Sequence, residues 1–309
     1  MRPIAEAYKD FPILHKEHNG HRVIYLDSGA TAQIPQSVID RVVEHMTQRN
    51  GNPHRGSHIL AIEASEDYEN ARDRVVEFIN AREREEVIFT RNSTESMNLI
   101  AHSYGLHNVK KGDKIVITVA EHHANLVTWQ YVAEQTGATL EYMYLDEHGH
   151  LKDGEINKID EKTKIVAFAH VSNVLGMEFP VKELTEKARS VGAIVVLDGA
   201  QSTPHKKIDV QALDCDFFVF SGHKMCASQG IGVLYGKRDL LETMPPFLLG
   251  GDMIEYVKEQ TATFNELPYK FEAGTPNADG AVSLHAAIDY LESFGTVSYT
   301  HLRAHETRR

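Results

Sequence analysis

"CDFFVFSGHKMCASQGIGVLYGK", Cys215 to Lys237, decides the fold. A run of β-forming residues ends in Ser221-Gly222-His223-Lys224, and a second apolar run, "GIGVLYGK", begins only a few residues later. That gap is too short for a helical crossover, so the second run is expected as an antiparallel strand. Upstream, "HRVIYLD", "EEVIFTR", "DKIVITVA", "TLEYMYL", "TKIVAFAHV" and "AIVVLD" are further short β-branched runs, separated mostly by helix-length segments. Such alternation predicts an α/β fold with a mostly parallel sheet flanked by helices. Between the strands, "TESMNLIAHSYGLH", "NLVTWQYVAEQTG" and "VKELTEKARSVG" place apolar residues at helical spacing. The last two close on a glycine, where a helix C-cap is expected.

The chain has 309 residues, 42% of them hydrophobic, which is enough for one large domain and part of a second. Residues 1–20 read as a polar N-terminal arm packed against a large domain spanning 21–290. A formal charge of -12 argues against a general nucleic-acid or anionic-membrane surface, because both require basic patches. Cys215 and Cys226 are the only cysteines, and there is no signal-peptide pattern or long apolar run, so a reducing, cytoplasmic location is expected without disulfides. The 18 histidines lack accompanying Cys or carboxylate spacing, and no metal site is expected.

In an open α/β sheet, ligands bind outside the carboxyl ends of the strands. Five predicted ends carry polar groups: Arg91-Asn92-Ser93-Thr94, Glu121-His122-His123, Val171-Ser172-Asn173, Asp198-Gly199-Ala200-Gln201 and Ser221-Gly222-His223-Lys224. Each has a plain alternative taken alone. Ser93 or Thr94 suits a helix N-cap, His122 a satisfied core histidine, and Asp198 a turn before Gly199. Lys224 is harder to explain as structure, because a lysine between two sheet strands is rarely left unpaired. Together the residues meet the needs of pyridoxal phosphate (PLP): a lysine for the carbonyl, a carboxylate for the pyridine nitrogen, a flat partner for the ring and a cup for the phosphate. Burial and neighbouring positive charge are expected to lower the Lys224 pKa.

"YLDSGAT", "HRGSH", "EHHAN", "HVSNVLG", "DGAQ", "SGHK" and "FEAGTPN", in this order and spacing, strongly resemble the group II (SUF-type) cysteine desulfurases of the class V aminotransferase family. The resemblance runs from about residue 8 to about residue 295. It implies a PLP-dependent transferase of fold type I, a homodimer that converts L-cysteine to L-alanine and passes sulfur to an acceptor protein of the SUF system for iron–sulfur cluster assembly. By the same resemblance Lys224 carries the cofactor, His122 stacks on its ring and moves protons, and Asp198 binds the pyridine nitrogen. Gln201 and Asn173 take the O3′ side, while Ser93, Thr94, Ser221 and His223 take the phosphate. Thr275 would reach the phosphate of the neighbouring subunit, and His54 and Arg55 would line the substrate entrance.

Three departures from the family pattern stand out. Gly29-Ala30 replaces Ala-Ala, and Ala227-Ser228-Gln229-Gly230 replaces Gly-Pro-Thr-Gly, which is expected to loosen that turn. The third concerns the C-terminal small domain, which in the family carries the nucleophilic cysteine and an arginine for the substrate carboxylate. Here residues 291–296 read as its truncated start and 297–309 as a non-native tail without apolar period, so the desulfurase step itself is expected to be missing. Cys226 reads as a bystander on a fixed turn, and Cys215 as a small buried hydrophobe. Two alternatives stay open: a selenocysteine lyase or other class V lyase or aminotransferase, and a non-catalytic incomplete product.

Overall fold

In the computed structural model, which describes residues 4–294, every β-branched run but one pairs into a single seven-stranded sheet. Two 3-10 turns, Ile4–Asp10 and Pro12–His15, lead into a two-residue ladder of β1 (Glu17–His18) with β2 (His21–Arg22). Helices α1 (Gln36–Gln48) and α2 (Ile59–Ile79) follow. The sheet comprises β3 (Val87–Thr90), β4 (Lys114–Thr118), β5 (Thr139–Met143), β6 (Thr163–Ala169), β7 (Ile194–Asp198), β8 (Phe217–Ser221) and β9 (Gly232–Gly236). Its order is β3-β9-β8-β7-β6-β4-β5; β9 runs antiparallel to both neighbours and all other pairs are parallel. The lysine-bearing turn therefore links a parallel strand to the one antiparallel strand, as the short gap requires.

Strands β7 and β8 are buried along their whole length, which explains why their sequences are continuously apolar instead of alternating. On one face Phe218 and Phe220 pack with Val195, Leu197 and residues of α2; on the other, Phe217 and Val219 pack with Ile115, Ile117 and Trp129. The helices between strands are α3 (Ser93–Leu99), α4 (Leu106–Asn108), α5 (His123–Thr136), α6 (Val181–Ser190), α7 (Val210–Leu213) and α8 (Arg238–Thr243). A wider π-helical stretch, Ile100–Gly105, joins α3 to α4 and sets Gly105 against Val132 and Trp129 of α5. Helix α5 closes on Gly137 at φ 74°, and the α6 end is followed by Gly192 at φ 73°, both in the left-handed region where glycine is favoured. A hairpin of β10 (Ile254–Val257) with β11 (Ala262–Phe264) precedes α9 (Ala278–Glu292).

"HRVIYLD" departs from expectation. Only His21 and Arg22 join a ladder, and that ladder lies apart from the main sheet. Ile24 and Leu26 are 81% and 85% exposed, and the Tyr25 hydroxyl donates to the carbonyl of Thr31 at 2.7 Å. The alternation is present, but loop hydrogen bonds described below draw the following residues across the carboxyl ends of the strands. The N-terminal arm packs on α9: Ala7 is buried, Phe11 meets Tyr290 edge to face, and the Tyr290 hydroxyl donates to Asp10 at 3.0 Å. Helix α9 runs past the expected division after residue 290, to Glu292, and the expected tail, 297–309, lies outside the described residues. No helix among the described residues is long and apolar enough to cross a membrane. None of them gather three or more His, Cys, Asp or Glu side chains in a cluster able to hold a metal ion.

Candidate active site

The loops leaving β3, β4, β6, β7 and β8 converge beyond the carboxyl edge of the sheet and enclose a cavity of about 550 Å³. Ser93, Thr94, His122, Asn173, Asp198, Gln201, Ser221, His223 and Lys224 all line it.

At the end of β3 the N-cap of α3 is Asn92, whose side-chain oxygen accepts the Glu95 N–H at 3.0 Å. Capping therefore requires neither Ser93 nor Thr94, and both remain at the cavity wall. The Ser93 hydroxyl pairs with that of Ser221 at 2.8 Å, tying the α3 start to the end of β8. Gly232 on β9 permits this join, since a Cβ there would lie 2.6 Å from the Asn92 Cα.

His122 opens α5, and its Nδ1 accepts the Ala124 N–H at 3.1 Å. The ring is open to the cavity, yet enclosure by the protein, reinforced by the Lys224 charge and opposed by Asp198, holds its pKa below the usual value. With Nδ1 accepting, the neutral ring carries its proton on Nε2. Behind it, Glu121 is buried, accepting from the Thr118 hydroxyl and from the Asn125 amide at 2.6 Å. Burial, aided by the Asp198 charge, raises the Glu121 carboxyl to about 8.

Asp198 ends β7, is 5% exposed, and accepts the Ala200 N–H at 2.9 Å. Among the described residues it forms no ion pair, and burial raises its pKa against the smaller effects of the Ala200 bond, Lys224 and His122. Lys224 is half-buried in the turn after β8, and burial lowers its pKa. The expected help from a neighbouring positive charge is not found: the charge acting on Lys224 is Asp198, which opposes the shift. His223 is lowered by burial and by Lys224.

Three predicted positions lie elsewhere in this protomer. Thr275 is exposed and does not line the cavity. His54, at φ 62°, points its Nε2 to Glu69 at 3.1 Å, and the Arg55 guanidinium pairs with Asp252. Conversely, Asp27, Gly29 and Ala30 line the cavity without having been read as site residues. Their "YLDSGAT" segment shows turn-forming residues, but it follows no strand of the main sheet, so a search of strand ends passes over it. Gln201 donates to the Gly29 carbonyl at 2.8 Å and Thr31 pairs with His223, drawing this loop onto the site.

Both cysteines are free and buried, and neither lines the cavity. Burial pushes the Cys226 thiol up to about 12 and raises that of Cys215 further. The turn around Cys226 is tied to the rest of the chain. The Ser228 N–H donates to the Ser283 hydroxyl and the Asn277 amide to the Gly230 carbonyl, each at 2.7 Å, fastening the turn to α9 and the residue that caps it.

Residues 24–308 match the family model described as "Aminotransferase class-V". A protein of Halalkalibacterium halodurans named probable cysteine desulfurase is 53% identical over 94% of this chain and 72% of its own length. Among solved structures, the apo cysteine desulfurase of Thermococcus onnurineus superposes with a TM-score of 0.90 at 41% identity, covering 96% of this chain and 72% of that one. The cysteine desulfurase CsdA of Escherichia coli, in an S-sulfonic acid form, superposes with a TM-score of 0.86 at 39% identity, covering 95% and 73%.

Proposed function

The chain belongs to the class-V aminotransferase family, and from that premise we propose that it is a PLP-dependent cysteine desulfurase, acting on L-cysteine to give L-alanine and transferable sulfur. The observation that carries the reading is the pairing in one cavity of Lys224, lowered in pKa by burial, with Asp198, a buried carboxylate that forms no ion pair among the described residues. A buried carboxylate needs a cationic partner. The protonated pyridine nitrogen of PLP would supply one, and the Ser93, Ser221 and His223 donors at the other wall suit its phosphate. The residues present therefore fit the group.

Bound there, PLP supplies an electron sink for the amino acid joined to it. Lys224 would hold the cofactor through Nζ, and its amine, free when substrate is bound, would take and return the proton of the substrate Cα. Asp198 would keep the ring nitrogen protonated, and His122 would stack on the ring and, through its Nε2–H, help move protons. Gln201 and Asn173 flank the O3′ side, and Ser93, Thr94, Ser221 and His223 hold the phosphate. The exposed Thr275 suits contact with the phosphate in a second subunit of a homodimer, with His54 and Arg55 at the entrance. A SUF-type acceptor protein would take the sulfur, in the cytoplasm.

Neither cysteine faces the cavity, so sulfur transfer must use a thiol other than these two. This same observation favours, as a second reading, a class V lyase or aminotransferase reaction that needs no protein thiol. Incubating the PLP-loaded protein with L-cysteine, with and without dithiothreitol, separates the two. Alanine that appears only with added thiol and depends on Lys224 is expected; a keto acid in place of alanine would sink the desulfurase reading.

A further inference from the structure

We propose that Thr31 is a positioning residue whose hydroxyl orients the His223 ring so that the remaining ring nitrogen faces the cofactor's phosphate; this rests on the PLP reading of the cavity. The Thr31 Oγ1 lies 2.6 Å from His223 Nδ1, the closest tie between the N-terminal loop and the turn that carries Lys224. Among the described residues the other ring nitrogen, Nε2, makes no hydrogen bond, while His223 lines the cavity beside Ser221 and Ser93.

A neutral imidazole has one N–H, and only a ring protonated on Nε2 can donate from that side to an anion. Burial and the Lys224 charge lower the His223 pKa, which favours the neutral ring. The Thr31 hydroxyl then donates to Nδ1 and selects the useful tautomer. Without it the proton can sit on Nδ1, and the nitrogen facing the phosphate becomes a lone pair.

The backbone here is held independently of that hydroxyl. The Ala32 N–H donates to the His223 carbonyl at 2.8 Å, and the Tyr25 hydroxyl to the Thr31 carbonyl at 2.7 Å. Gln201 adds its bond to the Gly29 carbonyl at 2.8 Å. Thr31→Val therefore removes the orienting group and leaves the loop tied, and Thr31→Ser restores it.

The test titrates cofactor-free protein with PLP and with pyridoxal, which lacks the phosphate, following the visible absorbance of the lysine-bound aldehyde. Thr31→Val should bind PLP about tenfold more weakly, the factor lost with one charge-assisted hydrogen bond. Thr31→Ser should match the parent, and pyridoxal should bind all three proteins equally. In the cofactor-free protein, nitrogen-15 NMR should show His223 protonated on Nε2 in the parent and mixed in Thr31→Val. Undiminished PLP binding by Thr31→Val, or an equal loss of pyridoxal, overturns the proposal. If the parent binds neither aldehyde, the PLP reading falls on its own, and an unchanged His223 tautomer in Thr31→Val overturns the orienting role separately.

Discussion

Asp198 at the cavity wall and Glu121, next to the lining His122, are both buried carboxyls, and burial is the first cause of the upward shift in each. Their charges also oppose one another, because Asp198 raises Glu121 further. The consequence for stability has a definite sign. A carboxyl whose folded pKa lies above its unfolded value contributes stability that is complete below the unfolded value and lost as pH rises through the folded one. For Glu121 that window runs from 4.5 to about 8. In the cofactor-free protein, Glu121→Gln should therefore melt with the parent near pH 4 and a few degrees above it near pH 9, where the parent must bury a charge. A melting difference that stays constant across this range would show that Glu121 does not titrate in the folded protein. Glu121 could be found in the sequence only as part of a polar strand end. Its burial depends on Thr118 and Asn125 closing over it, which no spacing rule reveals.

Among the elements, β3 sits at the edge of the sheet and carries Asn92 and Ser93 into the site, so its placement matters. Arg72 of α2, fully buried, fixes it. The guanidinium donates to the Val87 carbonyl at 2.7 Å and to both carboxylate oxygens of Glu272, at 2.7 and 2.8 Å. Glu272 in turn accepts the Phe89 N–H at 2.7 Å and the Tyr68 hydroxyl at 2.9 Å. Arg72→Ala should cost about 3–5 kcal/mol in denaturant unfolding, since it leaves a buried carboxylate unpaired. A loss below about 1 kcal/mol would mean the pair is dispensable. The strands of the main sheet were legible because central parallel strands bury both faces and so read as unbroken apolar runs. "HRVIYLD" has an equally good local pattern and misleads, because long-range bonds from Gln201 and His223 decide where its loop goes. The Arg72–Glu272 tie spans most of the chain and leaves no local signature at all.

At the scale of the whole molecule, the sheet topology turns residues scattered from Asp27 to Lys224 into one wall of polar groups. Most of that wall was legible, because it lies at the carboxyl ends of strands whose order need not be known to locate them. The contribution of Asp27, Gly29 and Ala30 was not, since they reach the site through a loop with no strand before it in the sheet. Thr275 is exposed, and the role proposed for it depends on a second chain, which a single protomer's packing does not determine. The Thermococcus onnurineus cysteine desulfurase shares this backbone framework, at 41% identity with a TM-score of 0.90. The central claim is that Lys224 is the residue that carries PLP. Borohydride reduction of the PLP-loaded protein, followed by digestion and mass analysis of the peptides, tests it directly. The account predicts a phosphopyridoxyl group on Lys224 and its absence in Lys224→Ala; the label on a different lysine, or on none, would contradict it.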